Sequence, residues 1–325
     1  MLYGTASMAT VTVHHLSAGG TLESGGLEIA GREGLRWIDV VAPDEALLEH
    51  LALQFGLHRL EIEDCLHLDQ RPKLEEFKGH LFLVLHGFEP KPGPAELGLE
   101  LRELHLFLGP DWVITVHDEP MASMEALRSR VTKEPAGTLG RGADHLAYLL
   151  ADTLVDADFP LVERLNDVVD GLEDAVFDGL QPGMQVRLFS VKRQLVMLRR
   201  ILSPQRDVLA LLARPGMPYV QDRTTLYFRD VHDHLIRLHE QIDAAREILG
   251  NVLDAYLSVV ALRTGDISKQ LTVIATIFLP LTFLTGFFGQ NFEVLARQEY
   301  LAFVILCVVL LPTGMIAWFR GKGWF

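Results

Sequence analysis

Charge is missing from two stretches near the end of this 325-residue chain: none occurs between Lys269 and Glu293, and none between Glu299 and Arg320. Residues 271–288 and 300–319 are predominantly apolar, each close to the roughly 20 residues a helix needs to cross a bilayer. Histidine is absent from both stretches and the one cysteine there is Cys307, so neither offers a soft-ligand metal site. The other cysteine, Cys65, lies far away, which suits a reducing compartment without disulfides. The first twenty residues have neither a basic nor an apolar signal region, so no secretory leader is expected. No nucleotide-binding loop, nucleophile elbow or compact metal-ligand set occurs, which argues against an enzyme.

A mean hydropathy of +0.21 and an apolar fraction of 49% are high for a soluble chain, and the two stretches account for both. In hydrocarbon such segments must be helices that satisfy their own backbone groups. Arg263 and Lys269 precede the first span, Arg320 and Lys322 follow the second, and the connecting loop carries only Arg297. The positive-inside rule then places both termini in the cytoplasm, in an inner or plasma membrane. The net charge of −14 and pI near 5.3 argue against nucleic acid and against adhesion to anionic lipid. An acidic body on a membrane pore would gather cations, although many cytosolic domains are acidic without such a role.

The segment pattern predicts an α+β membrane protein. Residues 1–120 read as a cytoplasmic α/β domain and 121–218 as a helical section. A stalk helix (219–270) leads to the first span (271–288), then an outer loop (289–299), the second span (300–319) and a short tail (320–325). Strand-like runs occupy 11–15, 37–41, 81–85, 105–108 and 112–116. Asp44 suits a helix N-cap. Gly109-Pro110-Asp111 suits a hairpin turn, and the Pro/Gly-rich 89–94 piece reads as a loop.

Proline is absent from 219 to 279, about 60 residues and roughly 90 Å if helical. Val231, Leu235, Leu238, Ile242, Ala245, Leu249, Val252, Tyr256 and Val259 alternate spacings of four and three, a heptad seam. A second stripe lies on another face: Asp254, Ser258, Ala261, Gly265, Ser268, Thr272, Ala275, Leu279, Thr282 and Gly286. Nearly all are small or hydroxylated. Such a stripe serves either close packing of membrane helices or a water-filled path with Leu279 as an apolar constriction. Its continuation beyond the bilayer to a carboxylate favours the path. Two spans cannot enclose a pore, so that reading demands a homo-oligomer. Pro280 would free the carbonyl of Thr276, a place to bend or hydrate the helix.

The run from Thr272 to Phe292, TVIATIFLPLTFLTGFFGQNF, with its Gly289-Gln290-Asn291, resembles the signature of the CorA family of two-span metal-ion transporters. Tyr227-Phe228-Arg229-Asp230-Val231-His232-Asp233-His234, Leu253-Asp254-Ala255-Tyr256-Leu257-Ser258 and Gln70-Arg71-Pro72-Lys73 resemble other family segments. The resemblance implies a pentamer in membrane lipid with a cytoplasmic α/β funnel and a stalk continuing as the pore-lining span. It implies transport of divalent cations, mostly Mg2+ with Co2+ and Ni2+, or Zn2+ in a ZntB-like branch. It also implies a selectivity ring at Gly289, Gln290 and Asn291 and an inner pore acid at Asp254. Cytosolic Mg2+ would be held between subunits by Asp230 with an acid near residues 88–91, where Glu89 is the acidic residue and Lys91 has the wrong sign.

The chemistry of those residues supports the filter on its own terms. Mg2+ dehydrates reluctantly, so a filter for it should hold the hydration shell, which backbone carbonyls and the Asn291 amide can do by accepting hydrogen bonds. Gly-Gln-Asn also suits a helix C-cap. Gln290 stands where magnesium transporters of this family usually carry Met. In the 230–234 segment only Asp230 and His234 share a helical face, so those residues do not make a zinc cluster by themselves. Mg2+ is the expected ion, Zn2+ with or without proton coupling, or Co2+, the alternatives, and a membrane-anchored coiled-coil scaffold the reading without transport.

Overall fold

The computed structural model describes residues 9–67, 69–91, 98–179, 181–288 and 298–324, with the side chains of 298–301 left aside. The chain divides into two compact units, Met1–Asp174 with Pro182–Gly250, and Ala175–Gln181 with Asn251–Phe325.

The first unit is built on a seven-stranded sheet in the order β2-β1-β3-β7-β6-β5-β4. Its strands are β1 (Thr10–Leu16), β2 (Leu22–Gly25), β3 (Leu35–Val41), β4 (Lys73–Phe77), β5 (His80–Pro90), β6 (Leu99–Leu108) and β7 (Trp112–His117). Only β3 and β7 pair in parallel. Helices α1 (Glu45–Phe55) and α2 (Arg59–Leu66) connect β3 to β4. Asp44 caps α1 by accepting a hydrogen bond from Leu47 N at 2.8 Å, and Gly109 N closes the β6–β7 turn on Trp112 O at 2.9 Å. After β7 come α3 (Ala122–Lys133), α4 (Ala143–Asp156), α5 (Phe159–Asp178), α6 (Met184–Leu212) and α7 (Asp222–Phe288).

Strands alternate their side chains between two faces, and both faces of this sheet are covered. Ile38, Val40, Phe82, Val84, Phe107, Ile114 and Val116 form one core with Leu48 and Leu51 of α1 and Ile62 of α2. Helix α4 lies against β3, β5, β6 and β7. It approaches so closely that a Cβ on Gly87 would sit 2.6 Å from Leu154 Cδ1. The expectation of a loop over 89–94 is corrected at its start: β5 continues through Glu89 and Pro90, opposite Glu100 and Leu99 of β6. Pro90 is tolerated because it closes the strand, where a missing N–H breaks no further ladder.

One buried polar group ties β3 to β7 and α3. Asp39 Oδ1 accepts the Thr115 hydroxyl at 2.5 Å and lies 3.2 Å from His117 Nε2, while Arg128 Nε sits 3.4 Å from Oδ2. Thr115 Oγ1 in turn accepts the Trp37 indole N–H at 2.9 Å. Burial pushes the Asp39 carboxyl pKa up, but His117, Thr115 and Arg128 more than offset it and the net shift is downward. A carboxyl with a lowered folded pKa contributes stability above its unfolded value, near 3.9, that is lost as pH falls through the folded one. Asp39→Ala takes the shared buried acceptor from Thr115, His117 and Arg128, while His117 keeps Glu119 O and Arg128 keeps Glu125, at a cost of about 1–3 kcal/mol. The expected result is a clearly lower melting temperature at pH 7 and a smaller difference from wild type in acid. An unchanged melting temperature at pH 7 would show the network to be dispensable.

In α7 the heptad seam is buried from Val231 through Leu235, Leu238, Ile242, Ala245 and Leu249 to Val252; Tyr256 and Val259 are half-buried. In the second unit, α8 (Gln298–Gly321) and α7 carry windows of mean hydropathy 2.4 and 2.0 that are only 6% buried in a single chain. Such faces require lipid or other subunits to cover them. Lys269 Nζ donates to Gly323 O at 3.0 Å and lies over the Trp324 ring, while Val273 and Phe319 are buried. The basic residues Lys269, Arg320 and Lys322 thus lie at one end of the two apolar segments.

Candidate functional site

Helix α7 runs unbroken through Pro280 to Phe288. Every member of the small-residue stripe, Asp254, Ser258, Ala261, Gly265, Ser268, Thr272, Ala275, Leu279, Thr282 and Gly286, is exposed in one chain. Exposure alone does not select this face, because Phe278 and Phe283 are 62% and 69% exposed against 75% for Leu279. The stripe differs from the Phe278 and Phe283 faces in its small and hydroxylated side chains, although Thr264, Thr276 and Thr285 off the stripe donate to the preceding turn in the same way. Ser258 Oγ donates to Asp254 O at 2.9 Å, Thr272 Oγ1 to Ser268 O at 2.8 Å, and Thr282 Oγ1 to Phe278 O at 2.8 Å. A hydroxyl that spends its proton on the preceding turn keeps only lone pairs for its surroundings. A hydrated cation turns water hydrogens outward, so acceptors on this stripe match its shell. Gly289, Gln290 and Asn291 lie outside the described residues; α7 ends one residue before them and α8 begins at Gln298.

The regulatory candidates fall in the first unit. Asp230 is exposed on α7, and its carboxylate lies 3.8 Å from His234 Nε2 one turn on, the face-sharing expected from their spacing. His232 instead lies beside Asp233 at 3.6 Å. What sequence reasoning did not find is that α4 brings two more acids to His234. Asp156 Oδ1 is 3.3 Å from His234 Nδ1, and ligand atoms of Asp152, Asp156 and His234 all fall within 4.8 Å of one another. Burial, then the charge of Asp156, raises the Asp152 pKa. Tyr148 donates to Asp152 at 3.3 Å, and burial followed by that carboxylate's charge pushes the phenol up to about 12. Crowded carboxylates of this kind lower their mutual repulsion by taking up a cation. The available signal was the i, i+4 pair of acids at the end of α4, some 80 residues before His234.

Glu89 is engaged by its own chain. Its Oε1 accepts Ala122 N at the start of α3 at 2.7 Å, and its Oε2 lies 3.8 Å from Arg102 Nε. Its carboxylate therefore serves as a helix cap, and the Asp152–Asp156–His234 group does not include it.

Against known proteins, a family model described as "CorA-like Mg2+ transporter protein" matches residues 32–320. The Cobalt/magnesium transport protein CorA of Thermotoga maritima is 35% identical over 292 residues, covering 89% of this chain and 83% of that protein. A Bacillus subtilis protein named putative metal ion transporter YfjQ is 32% identical, covering 89% of each. In fold, the chain superposes on the complete structure of the CorA magnesium transporter from Methanocaldococcus jannaschii with a TM-score of 0.82, at 22% identity, over 97% of this chain and 98% of that one. The soluble α/β unit, the single long helix and the apolar C-terminal helix are common to both. The chain belongs to the CorA family of divalent metal-ion transporters, which move ions and are not enzymes.

Proposed function

We propose that this chain forms a homopentamer in the inner (plasma) membrane, both termini cytoplasmic, and conducts hydrated Mg2+, with Co2+ and Ni2+ as further cargo. The α7 stripe lines the path around the symmetry axis, from Asp254 at the inner end past the Leu279 ring toward Gly289, Gln290 and Asn291. The observation that carries this reading is the stripe itself: small or acceptor-bearing residues, exposed and in register, on one uninterrupted helix that crosses the apolar segment. The clustering of Lys269, Arg320 and Lys322 beside Trp324 supports a cytoplasmic end there. Hard acceptor oxygens without imidazole or thiolate along the stripe favour Mg2+ over Zn2+. The Zn2+ alternative draws on His234, the one imidazole in the Asp152–Asp156 group. Flux into liposomes holding the purified protein separates the two. Uptake of Mg2+ and Co2+ without a pH gradient is expected; uptake of Zn2+ alone, driven by a proton gradient, would favour the alternative.

Regulation follows from Asp230 and its neighbours. A divalent ion held between subunits by Asp230, close to Asp156 and Asp152, neutralises acids that otherwise repel, and so favours the closed arrangement. Glu89 is a weaker partner than the resemblance implies because α3 already occupies it. Mg2+ should slow proteolysis of the wild-type protein. Asp230→Ala should need roughly tenfold more Mg2+ or above for equal protection, since even partners outside the coordination sphere cost 10–100-fold in affinity. Equal protection of the variant at equal Mg2+ would place the regulatory site elsewhere.

A further inference from the structure

Basic residues are in the minority in this chain, 29 against 43 acids, yet four arginines converge on one open pocket of about 590 Å3 in the first unit. Arg199 and Arg200 lie on α6, Arg246 on α7, and Arg71 on the segment that leads into β4. On α6 the lining residues Val196, Arg199, Arg200, Ser203 and Asp207 share one face by their spacing. Asp243 braces two of the guanidiniums: its Oδ1 is 3.3 Å from Arg199 Nε and 3.1 Å from Arg246 Nη1. Asp207, the one acid in the lining, already pairs with Arg206 at 2.9 Å. Among the described residues, Arg71 and Arg200 have no carboxylate within ion-pair distance.

Asp243 offsets part of the charge of Arg199 and Arg246, and the added charge of Arg71 and Arg200 is what an anion would offset. Guanidinium presents paired donors matched to phosphate oxygens. Ser203 adds a hydroxyl donor at the centre of the face. The pocket volume lies in the range that takes a small organic ligand, and the donors of two unpaired and two Asp243-braced guanidiniums exceed what a single phosphate takes.

We propose that this pocket binds a polyphosphate anion, the triphosphate of a nucleotide or inorganic polyphosphate, with Arg71 and Arg200 as its principal contacts. The site is separate from the ion path and from the Asp230 cluster. Its existence does not depend on which metal is transported.

Calorimetry on the full-length detergent-solubilised oligomer in divalent-free buffer tests it, with orthophosphate, tripolyphosphate and ATP as probes. Tripolyphosphate and ATP should bind at least tenfold more tightly than orthophosphate. Tighter binding of ATP than of tripolyphosphate would identify a nucleotide as the source, and equal binding inorganic polyphosphate; both support the site. Arg71→Gln and Arg200→Gln should each weaken binding at least tenfold, whereas Arg193→Gln, on α6 but outside the pocket, should leave it unchanged. Melting temperatures provide the control for folding: the ligand should raise that of wild type and of Arg193→Gln, and not those of the two pocket variants, whose unliganded values should match wild type. No binding or thermal shift at millimolar triphosphate overturns the proposal, as does an equal loss in Arg193→Gln, which would reduce the effect to diffuse charge. Dissociation of the oligomer in Arg200→Gln without anion binding by wild type would show instead that the arginines hold a second copy of the chain.

Discussion

Asn291→Ala should abolish Mg2+ uptake into liposomes, to the background of protein-free vesicles, while the oligomer stays intact. In the proposed filter, Asn291 and the carbonyl of Gly289 accept hydrogen bonds from the water shell of the ion. A hydrated Mg2+ keeps its inner waters, so discrimination rests on acceptors placed around that shell. Alanine removes the side-chain acceptor from every subunit at once. Gln290→Met should be tolerated and should raise Mg2+ uptake, because the middle residue sets the surroundings of the ring. Size-exclusion chromatography confirms assembly and a fluorescent indicator inside the vesicles reads the flux. Full uptake by Asn291→Ala at equal reconstitution would remove this residue from the filter.

Leu279→Ser should raise basal leak. Leu279 is 75% exposed on the stripe, between Ala275 and Thr282 one turn away on either side. In the proposed assembly it forms an apolar ring that empties of water when the path is closed. Each introduced hydroxyl offers water a hydrogen bond of about 1 kcal/mol, and about 1.4 kcal/mol in the equilibrium is a factor of ten. A ring of such substitutions therefore predicts leak raised roughly tenfold or more. Serine at Phe278 or Phe283 has the same chemistry on other faces and should lower yield without raising leak. Equal leak from all three variants would mean that the effect is loosened packing and that Leu279 has no special position.

The parts of this fold that were legible in the sequence are those where burial dictates pattern. β7 and the buried parts of β5 (81–85) and β6 (105–108) read as apolar runs because helices cover both faces of the sheet there, whereas the half-buried, charged start of β6 (99–103) gave no such signal. The α7 seam from Val231 to Val252 showed its period because each residue packs inward. The sheet edges gave no such signal. β2 (Leu-Glu-Ser-Gly) and β4 (Lys-Leu-Glu-Glu-Phe) carry solvated polar residues, as edge strands do to discourage further pairing. Within β4, Lys73 is held by Asp64 and Glu75 at 2.7 and 3.0 Å. Glu89 and Pro90 resembled a loop because proline usually ends a strand, and here it does so only after Glu89 has paired. The Asp152–Asp156–His234 group was invisible for another reason. Its members are contiguous only after α4 packs beside α7, and no local spacing joins residues that far apart. The arginine pocket is of the same kind, drawing on three separate segments of the chain.

The central claim is that the small-residue face of α7 lines a water-filled path, and cysteine scanning from residue 254 to 286 tests it most directly. On a background lacking Cys65 and Cys307, each variant is exposed in the membrane to a water-soluble thiol reagent. Labelling should peak at Asp254, Ser258, Ala261, Gly265, Ser268, Thr272, Ala275, Thr282 and Gly286, with the alternation of four and three, and dip at Leu279 when the path is closed. Uniform labelling, or labelling that follows the Phe278 and Phe283 faces, would contradict the account and leave the stripe a helix-packing surface.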